Sequence, residues 1–431
     1  MGEGGRVSSE RLALGAHVAS LVAAGGFLFW LNRDRWFSWD EWAFPSIIHP
    51  LLQRGDVGRF LFAPYINHWQ TIPNLIWEGL YRLVGLRLYW PYLIPMLAAH
   101  LGIVALLRIL LIRVGAGPWL ATGLTLPVLL SGAGWADLAF GWQVGFLGAV
   151  FFGLAQLLLT DHDGPISGRD GAGLVLGLAG LTCSAVSLAM VPLVGLSLAL
   201  RRRWLPAAVA VAPLGTVFVA WYLLVGRAGD LSGYGYPPLS IAQLTTVPGF
   251  AWQGLLASLG GLAGLPGPAA LFGVVALIVV RRRRMTVTQP GMPLAWAGAV
   301  AAVWFFATIA LGRFLNGATF AAESRYLYVG IVLLLPLVAA ALSGIKADRI
   351  VVGLIGLLLG WAVINNVDAL VTSIRMEDAY SRNLKASVLR LAADPSLDRA
   401  APNRAVTTFA AMWIDMGLIK RLRDEHELPT S

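Results

Sequence analysis

The sequence predicts an all-α fold, a polytopic transmembrane helical bundle of about eleven spans. Three observations carry this. Of the 431 residues, 57% are hydrophobic and 13% charged, with a mean hydropathy of +0.71. That is about half the charge of an ordinary soluble domain, and no soluble fold of this size hides so much apolar surface from water. Apolar runs near the roughly twenty residues needed to cross hydrocarbon recur along the chain. Arginines close several of them, notably Arg201, Arg202 and Arg203, and Arg281, Arg282, Arg283 and Arg284, which is the bias that orients membrane helices.

Those positions also dispose of a nucleic-acid partner, despite a net charge of +9: the cations sit at helix ends, where they face lipid head groups. The single cysteine, Cys183, lies in an apolar stretch and reads as a packing residue. No Cys/His grouping has zinc spacing.

The first apolar run, residues 12–31, reads as an anchor with no small-residue cleavage site, and Arg6 and Arg11 place its start in the cytoplasm. Residues 32–89 form the first external loop, within which Ile47, Ile48, Leu51 and Leu52 make the apolar stripe of an interfacial helix on the membrane. Spans follow at 93–114, 119–133 and 143–159, with an external turn at 135–142 and a cytoplasmic loop at 161–170. Residues 173–200 read best as two short helices turning near 182–187, because one long span would leave the three arginines after it outside. A span at 205–225 leads to a second external segment, 227–267, with a turn at Tyr234, Tyr236, Pro237 and Pro238. Spans at 268–280, 293–311, 328–342 and 351–367 complete a membrane domain over 1–367, with Lys346 and Arg349 marking an inner loop. Residues 368–431 form a small extracytoplasmic helical tail, with Leu384, Val388 and Leu391 on one helical face and Val406, Phe409, Ala410 and Trp413 on another. The chain is thus expected to be integral to the cytoplasmic membrane, with its N-terminus cytoplasmic and its C-terminus and active site extracytoplasmic.

The chemistry-bearing residues cluster in the external segments. Trp36, Phe37, Ser38, Trp39, Asp40, Glu41 and Trp42 place two adjacent carboxylates at a membrane boundary among tryptophans. An aromatic belt explains the rings; it does not explain the acids, whose desolvation makes them candidate bases or metal ligands. Further on, Asn67 and His68 stand between Tyr65 and Trp69 in a loop, and Glu78 and Arg82 are spaced to pair along a helix. Arg313 and Arg325 lie on the side where positive charge is disfavoured, so each asks for a partner. A lipid phosphate fits guanidinium geometry, with Tyr326 beside it; an internal salt bridge of Arg325 with Glu323 or Asp40 is the competing reading. Trp135, Asp137, Trp142 and Gln143, on the external turn, are suited to lining a sugar site or to capping the interface.

A membrane helix, an external Asp-Glu pair followed by an aromatic, interfacial helices and then Asn67, His68 and Trp69 together resemble the GT-C superfamily of integral-membrane glycosyltransferases, which use polyprenyl-phosphate sugars. Order and topology match over most of the chain. The local pattern is nearer to actinobacterial-type members than to the protein O-mannosyltransferases or the aminoarabinose transferases. The resemblance implies that Asp40 is the acid beside the acceptor, as general base or metal ligand, that Glu41 is the second member of its motif, and that His68 lines the same cavity. Trp42, Asn67 and Trp69 would line the sugar or acceptor path. A clear second acidic motif is missing, Asp137 being the nearest candidate, so a divalent metal (Mg2+ or Mn2+), if one binds, would rest on Asp40 and Glu41.

The activity so implied is transfer of a sugar from a polyprenyl-phosphate donor to a cell-envelope glycan, lipid or protein, with Arg325, Arg313 and Tyr326 at the donor phosphate. The rivals are a transporter or flippase, which needs ionisable groups or broken helices at mid-membrane, and an O-antigen-type polymerase or ligase of lipid-linked glycans. No Walker A loop or dinucleotide fingerprint is present.

Overall fold

The computed structural model describes residues 3–233, 240–345, 348–406 and 413–429. The turn at Tyr234, Tyr236, Pro237 and Pro238, together with Lys346, Phe409 and Ala410, lies outside them. In chain order the α-helices are α1 (Glu3–Asn32), α2 (His49–Gln53), α3 (Val57–Phe62), α4 (Thr71–Val84), α5 (Trp90–Arg113), α6 (Pro118–Leu129), α7 (Val144–Thr160), α8 (Gly168–Leu181), α9 (Ser187–Leu200), α10 (Trp204–Trp221), α11 (Ile241–Ala263), α12 (Gly267–Val280), α13 (Met292–Arg313), α14 (Ser324–Leu342), α15 (Arg349–Ala393) and α16 (Met416–Asp424). Seven among the described residues are long and apolar enough to cross a membrane singly, and the bent pair α11–α12 brings the number to eight. Helices α6, α8 and α9, of 12, 14 and 14 residues, stand where the other three of the expected eleven spans were placed but are shorter than a single crossing needs.

Ion pairs fix which helix ends lie together. Arg113 reaches Asp161 at 3.6 Å, Arg201 pairs with both Asp161 and Asp163, and Arg203 donates to the Gly164 carbonyl at 2.6 Å. The arginines after α9 therefore share an end with the loop before α8. The intervening turn reaches the other end, where the Ile72 N–H donates to the Thr182 carbonyl and Ser184 contacts His68 at 3.2 Å. Residues 168–200 are thus the hairpin that the arginine bias demanded.

Helix α14 is the central element, with 83% of its apolar window buried, whereas α15 is peripheral at 11%. Around α14 pack α5, α6, α11 and α13.

Three expectations need correction. The second external segment is mostly helix: α11 lies against α13 and α14, its Gly254 facing the Phe306 ring and its Ser258 facing Gly330. The glycines of α11 are helix contact points, where a missing side chain permits close approach. The chain then bends by 85° into α12, at Gly264 (φ +64) and Pro266. Secondly, α15 runs unbroken from Arg349 to Ala393, through the boundary expected at 367, because after Gly360 no Gly or Pro follows until Pro395. In the tail, Val406 bonds back to Ile414 and Ala405 bridges to Asp415. Thirdly, the stripe expected to rest on lipid turns inward: Ile48 and Leu51 are buried in the protein.

Candidate active site

Asp40 is held in a tight 3-10 turn, Trp39–Trp42, that follows α1. The turn is pinned on every side. Trp36 donates through Nε1 to the Leu86 carbonyl (2.9 Å), Trp42 through Nε1 to the Phe37 carbonyl (3.1 Å), and the two indoles pack edge to face at 5.2 Å. Phe37 is boxed by Trp77, Tyr89 and Tyr92. Trp39 adopts φ +52, a conformation costly for a bulky L-residue unless its surroundings impose it. Here they do: its Nε1 donates to Glu377 at 2.9 Å and its ring stacks on Tyr380.

This geometry sends the two carboxylates to different surroundings. Asp40 is part-buried, with Tyr65 and Trp413 as hydrogen-bond partners and Arg325 and Arg313 in electrostatic reach. Burial raises its pKa, and the arginines and hydrogen bonds pull against that rise. Glu41 is fully buried, its Oε2 accepting from the Ser38 N–H (2.9 Å) and its Oε1 from the Tyr89 hydroxyl (2.7 Å). Burial nevertheless pushes Glu41 up to about 7, against the pull of Arg35 and its donors.

The pair does not suit a divalent cation. Glu41 is committed to Ser38 and Tyr89, and two guanidinium groups act on Asp40. Among the described residues no three or more His, Cys, Asp or Glu side chains converge.

Two cavities meet at this end of the bundle. One, of about 650 Å³, is lined by Asp40 and Glu41, by Trp135, Trp142 and Gln143, and by Glu323, Arg325 and Glu377. The other, of about 540 Å³, has mainly apolar walls from α10 and α13, with Asn67, His68, Arg313 and Tyr326 among its lining residues. They adjoin at Arg325 and Tyr326, where the guanidinium lies 5.7 Å from the phenol ring. The acid of the first loop and the arginine that opens α14 therefore face one space.

His68 belongs to the apolar cavity. Its Nδ1 accepts from the Ala185 N–H at 3.2 Å, so a neutral ring carries its proton on Nε2. Burial lowers its pKa to about 3, assisted by Arg313 and Arg325. It is therefore a neutral imidazole among the cavity's lining residues.

Three expected lining residues take structural positions instead. Trp42 is fully enclosed and Trp69 stacks on Trp221 at 5.1 Å with near-parallel rings, donating to Thr71 at 2.7 Å. Asp137 is fully buried; neither carboxylate oxygen has a hydrogen-bond partner among the described residues, and burial pushes its carboxyl well above the usual range, with Arg325 pulling the other way. Asp137 lies behind Trp135 and Ala136 and is not among the residues that line the cavity. Glu78 pairs with Arg82 at 2.6 Å as spaced, and also contacts His49 at 2.9 Å.

The structure adds Glu377, Tyr65 and Trp413. Glu377 accepts from Ser38 Oγ (3.0 Å) and from Trp39, and Arg35 approaches it at 3.6 Å. It was hidden because it lies on the part of α15 that reads as tail; the only cue was an acid pair, Glu377 and Asp378, in an otherwise helical stretch.

No protein-family model and no curated protein matches the sequence. Among solved structures, the crystal structure of ArnT from Cupriavidus metallidurans bound to undecaprenyl phosphate is similar, with TM-score 0.55 at 15% identity over 94% of this chain and 84% of that one. The apo crystal structure of the same protein matches with TM-score 0.54, 15% identity and the same coverage, 94% and 84%. A likeness at this identity is one of fold. The chain has the polytopic helical fold seen in ArnT.

Proposed function

We propose that the chain transfers a sugar from a polyprenyl-phosphate donor to a hydroxyl of an extracytoplasmic cell-envelope acceptor, a glycan, lipid or protein. The observation that carries this reading is that Asp40 and Arg325, from opposite parts of the sequence, line one cavity beside a second, apolar one. The undecaprenyl phosphate bound to ArnT supports a polyprenyl-phosphate partner for the same fold. In this reading the isoprenoid lies along the apolar cavity, and its phosphate sits between Arg313 and Arg325, with Tyr326 and the Nε2–H of His68 alongside. The sugar enters the larger cavity against Trp135, Trp142 and Gln143.

The acceptor oxygen attacks the anomeric carbon as its proton passes to Asp40. The bond from that carbon to the phosphate oxygen breaks, and its electron pair leaves with polyprenyl phosphate. Attack opposite the leaving group inverts the anomeric centre. The leaving phosphate is already stable, so the guanidinium groups act by neutralising charge and no general acid is required. The site lies at the end away from the arginine runs, which puts it outside the cell when those runs are cytoplasmic. The ionisable groups that line the two cavities lie at one end of the bundle, which favours this reading over a transporter with a mid-membrane site.

The test is transfer by the purified full-length protein in proteoliposomes, offered a panel of polyprenyl-phosphate sugars and nucleotide sugars with envelope-lipid and glycan acceptors. Transfer from a polyprenyl-phosphate sugar that persists in a chelator is expected. Transfer from nucleotide sugars alone would overturn the reading.

A further inference from the structure

A separate cavity of about 580 Å³ opens on the side of the bundle at the site end. Its walls come from the end of α1, the turn before α5 and the extension of α15. Arg33, Arg87, Arg382 and Lys385 line it, against one acid, Asp34. Arg35 also lines it but is spoken for, being buried and paired with Glu377 at 3.6 Å and Asp378 at 3.8 Å. The Arg33–Asp34 contact, at 3.5 Å, joins two exposed side chains and contributes little. Among the lining side chains cations thus outnumber acids, with Arg382 also in electrostatic reach of Asp378 and Arg87 of Glu427 beyond the wall.

Their place in the bundle makes them unusual. Tyr89, on this cavity's wall, bonds Glu41, and Tyr380, one turn before Lys385, stacks on Trp39. The cations are therefore at the Asp40 end, opposite the arginine runs, where membrane proteins disfavour lysine and arginine. Below them is an apolar, aromatic surface: Trp30, Leu88 and Trp90 are exposed, Trp90 packs edge-on against Phe29 at 6.4 Å, and Arg33 lies over the Trp30 ring at 5.0 Å. Exposed tryptophans mark the depth of the head groups. A basic pocket above an apolar wall, at that depth, matches an anionic lipid: phosphate above, acyl chains below.

We infer that the cavity formed by Arg33, Arg87, Arg382 and Lys385 binds the phosphate of an anionic membrane-lipid head group. The site is distinct from the Asp40 cavity and does not depend on the transferase reading. Guanidinium groups from three separate elements clamp the phosphate, so a bound lipid also ties α15 to α1.

The experiment uses the full-length protein in nanodiscs holding a photoactivatable phosphatidylglycerol or its phosphatidylcholine counterpart, with adducts mapped by peptide sequencing. Phosphatidylglycerol is expected to label residues 29–36, 87–90 and 382–389. Each cation contributes about fivefold to affinity, so R87Q/R382Q/K385Q falls about a hundredfold. The single variant R382Q, on an exposed helix face, falls about fivefold and serves if the triple variant does not fold. R282Q/R283Q, at the opposite end, leaves this labelling unchanged. Equal labelling by phosphatidylcholine, undiminished labelling of the variants, or competition by inorganic phosphate as strong as by phosphatidylglycerol would overturn the proposal.

Discussion

Glu41 and Asp40 show how one residue of displacement decides a carboxylate's chemistry. Asp40 faces the cavity and two arginines; Glu41, at the cavity wall, is fully buried and committed to Ser38 and Tyr89. Burial pushes Glu41 up to about 7, from an ordinary glutamate value of 4.5, so the folded state holds its proton where the unfolded chain has released it. Its contribution to stability is whole below pH 4.5, declines as pH rises and is gone above about 7, amounting to about 3 kcal/mol at most. Thermal melting of the purified protein should therefore fall across that window, and E41Q should flatten the fall; an unchanged slope in E41Q would assign it to other groups. The acid pair and the external arginines were legible in the sequence because each broke a membrane rule. The divergence of Asp40 and Glu41 was not, since spacing alone says nothing about which carboxylate is committed to Tyr89.

At the scale of elements, α15 does more than close the bundle. By continuing past the expected boundary it carries Glu377 to Ser38 and Trp39, and so braces the strained turn that presents Asp40. Glu377→Ala leaves Arg35 buried with Asp378 alone, at 3.8 Å. Breaking a buried pair costs about 3–5 kcal/mol; with that second acid present the lower end is expected. Melting should drop accordingly and transfer should fall, while Glu377→Gln, which keeps an acceptor for Trp39, should recover part of the activity. Equal melting of wild type and Glu377→Ala would remove the bracing role. Hydrophobic length and arginine bias made the spans and the 168–200 hairpin readable. They misread α11 as an external segment, and its close packing shows only once Phe306 and Ala133 are seen against Gly254 and Gly261.

The whole molecule is polarised. Arg113, Arg201 and their acidic partners gather at one end, and the two cavities, Asp40 and Arg325 at the other. Bilayer orientation follows from that asymmetry and can be read directly, because the native Cys183 is buried. Asp34→Cys should react with an impermeant maleimide on intact cells, and Arg282→Cys only after permeabilisation; the reverse pattern would put the site in the cytoplasm. The account's central claim is that Asp40 performs chemistry on a donor whose phosphate Arg325 holds. Single-turnover transfer in proteoliposomes, measured beside donor binding, tests it most directly. Asp40→Asn should bind donor like the wild type and transfer about a hundredfold to ten-thousandfold more slowly, whereas Arg325→Ala should lose donor binding as well as rate. Folded Asp40→Asn protein transferring at the wild-type rate would contradict it.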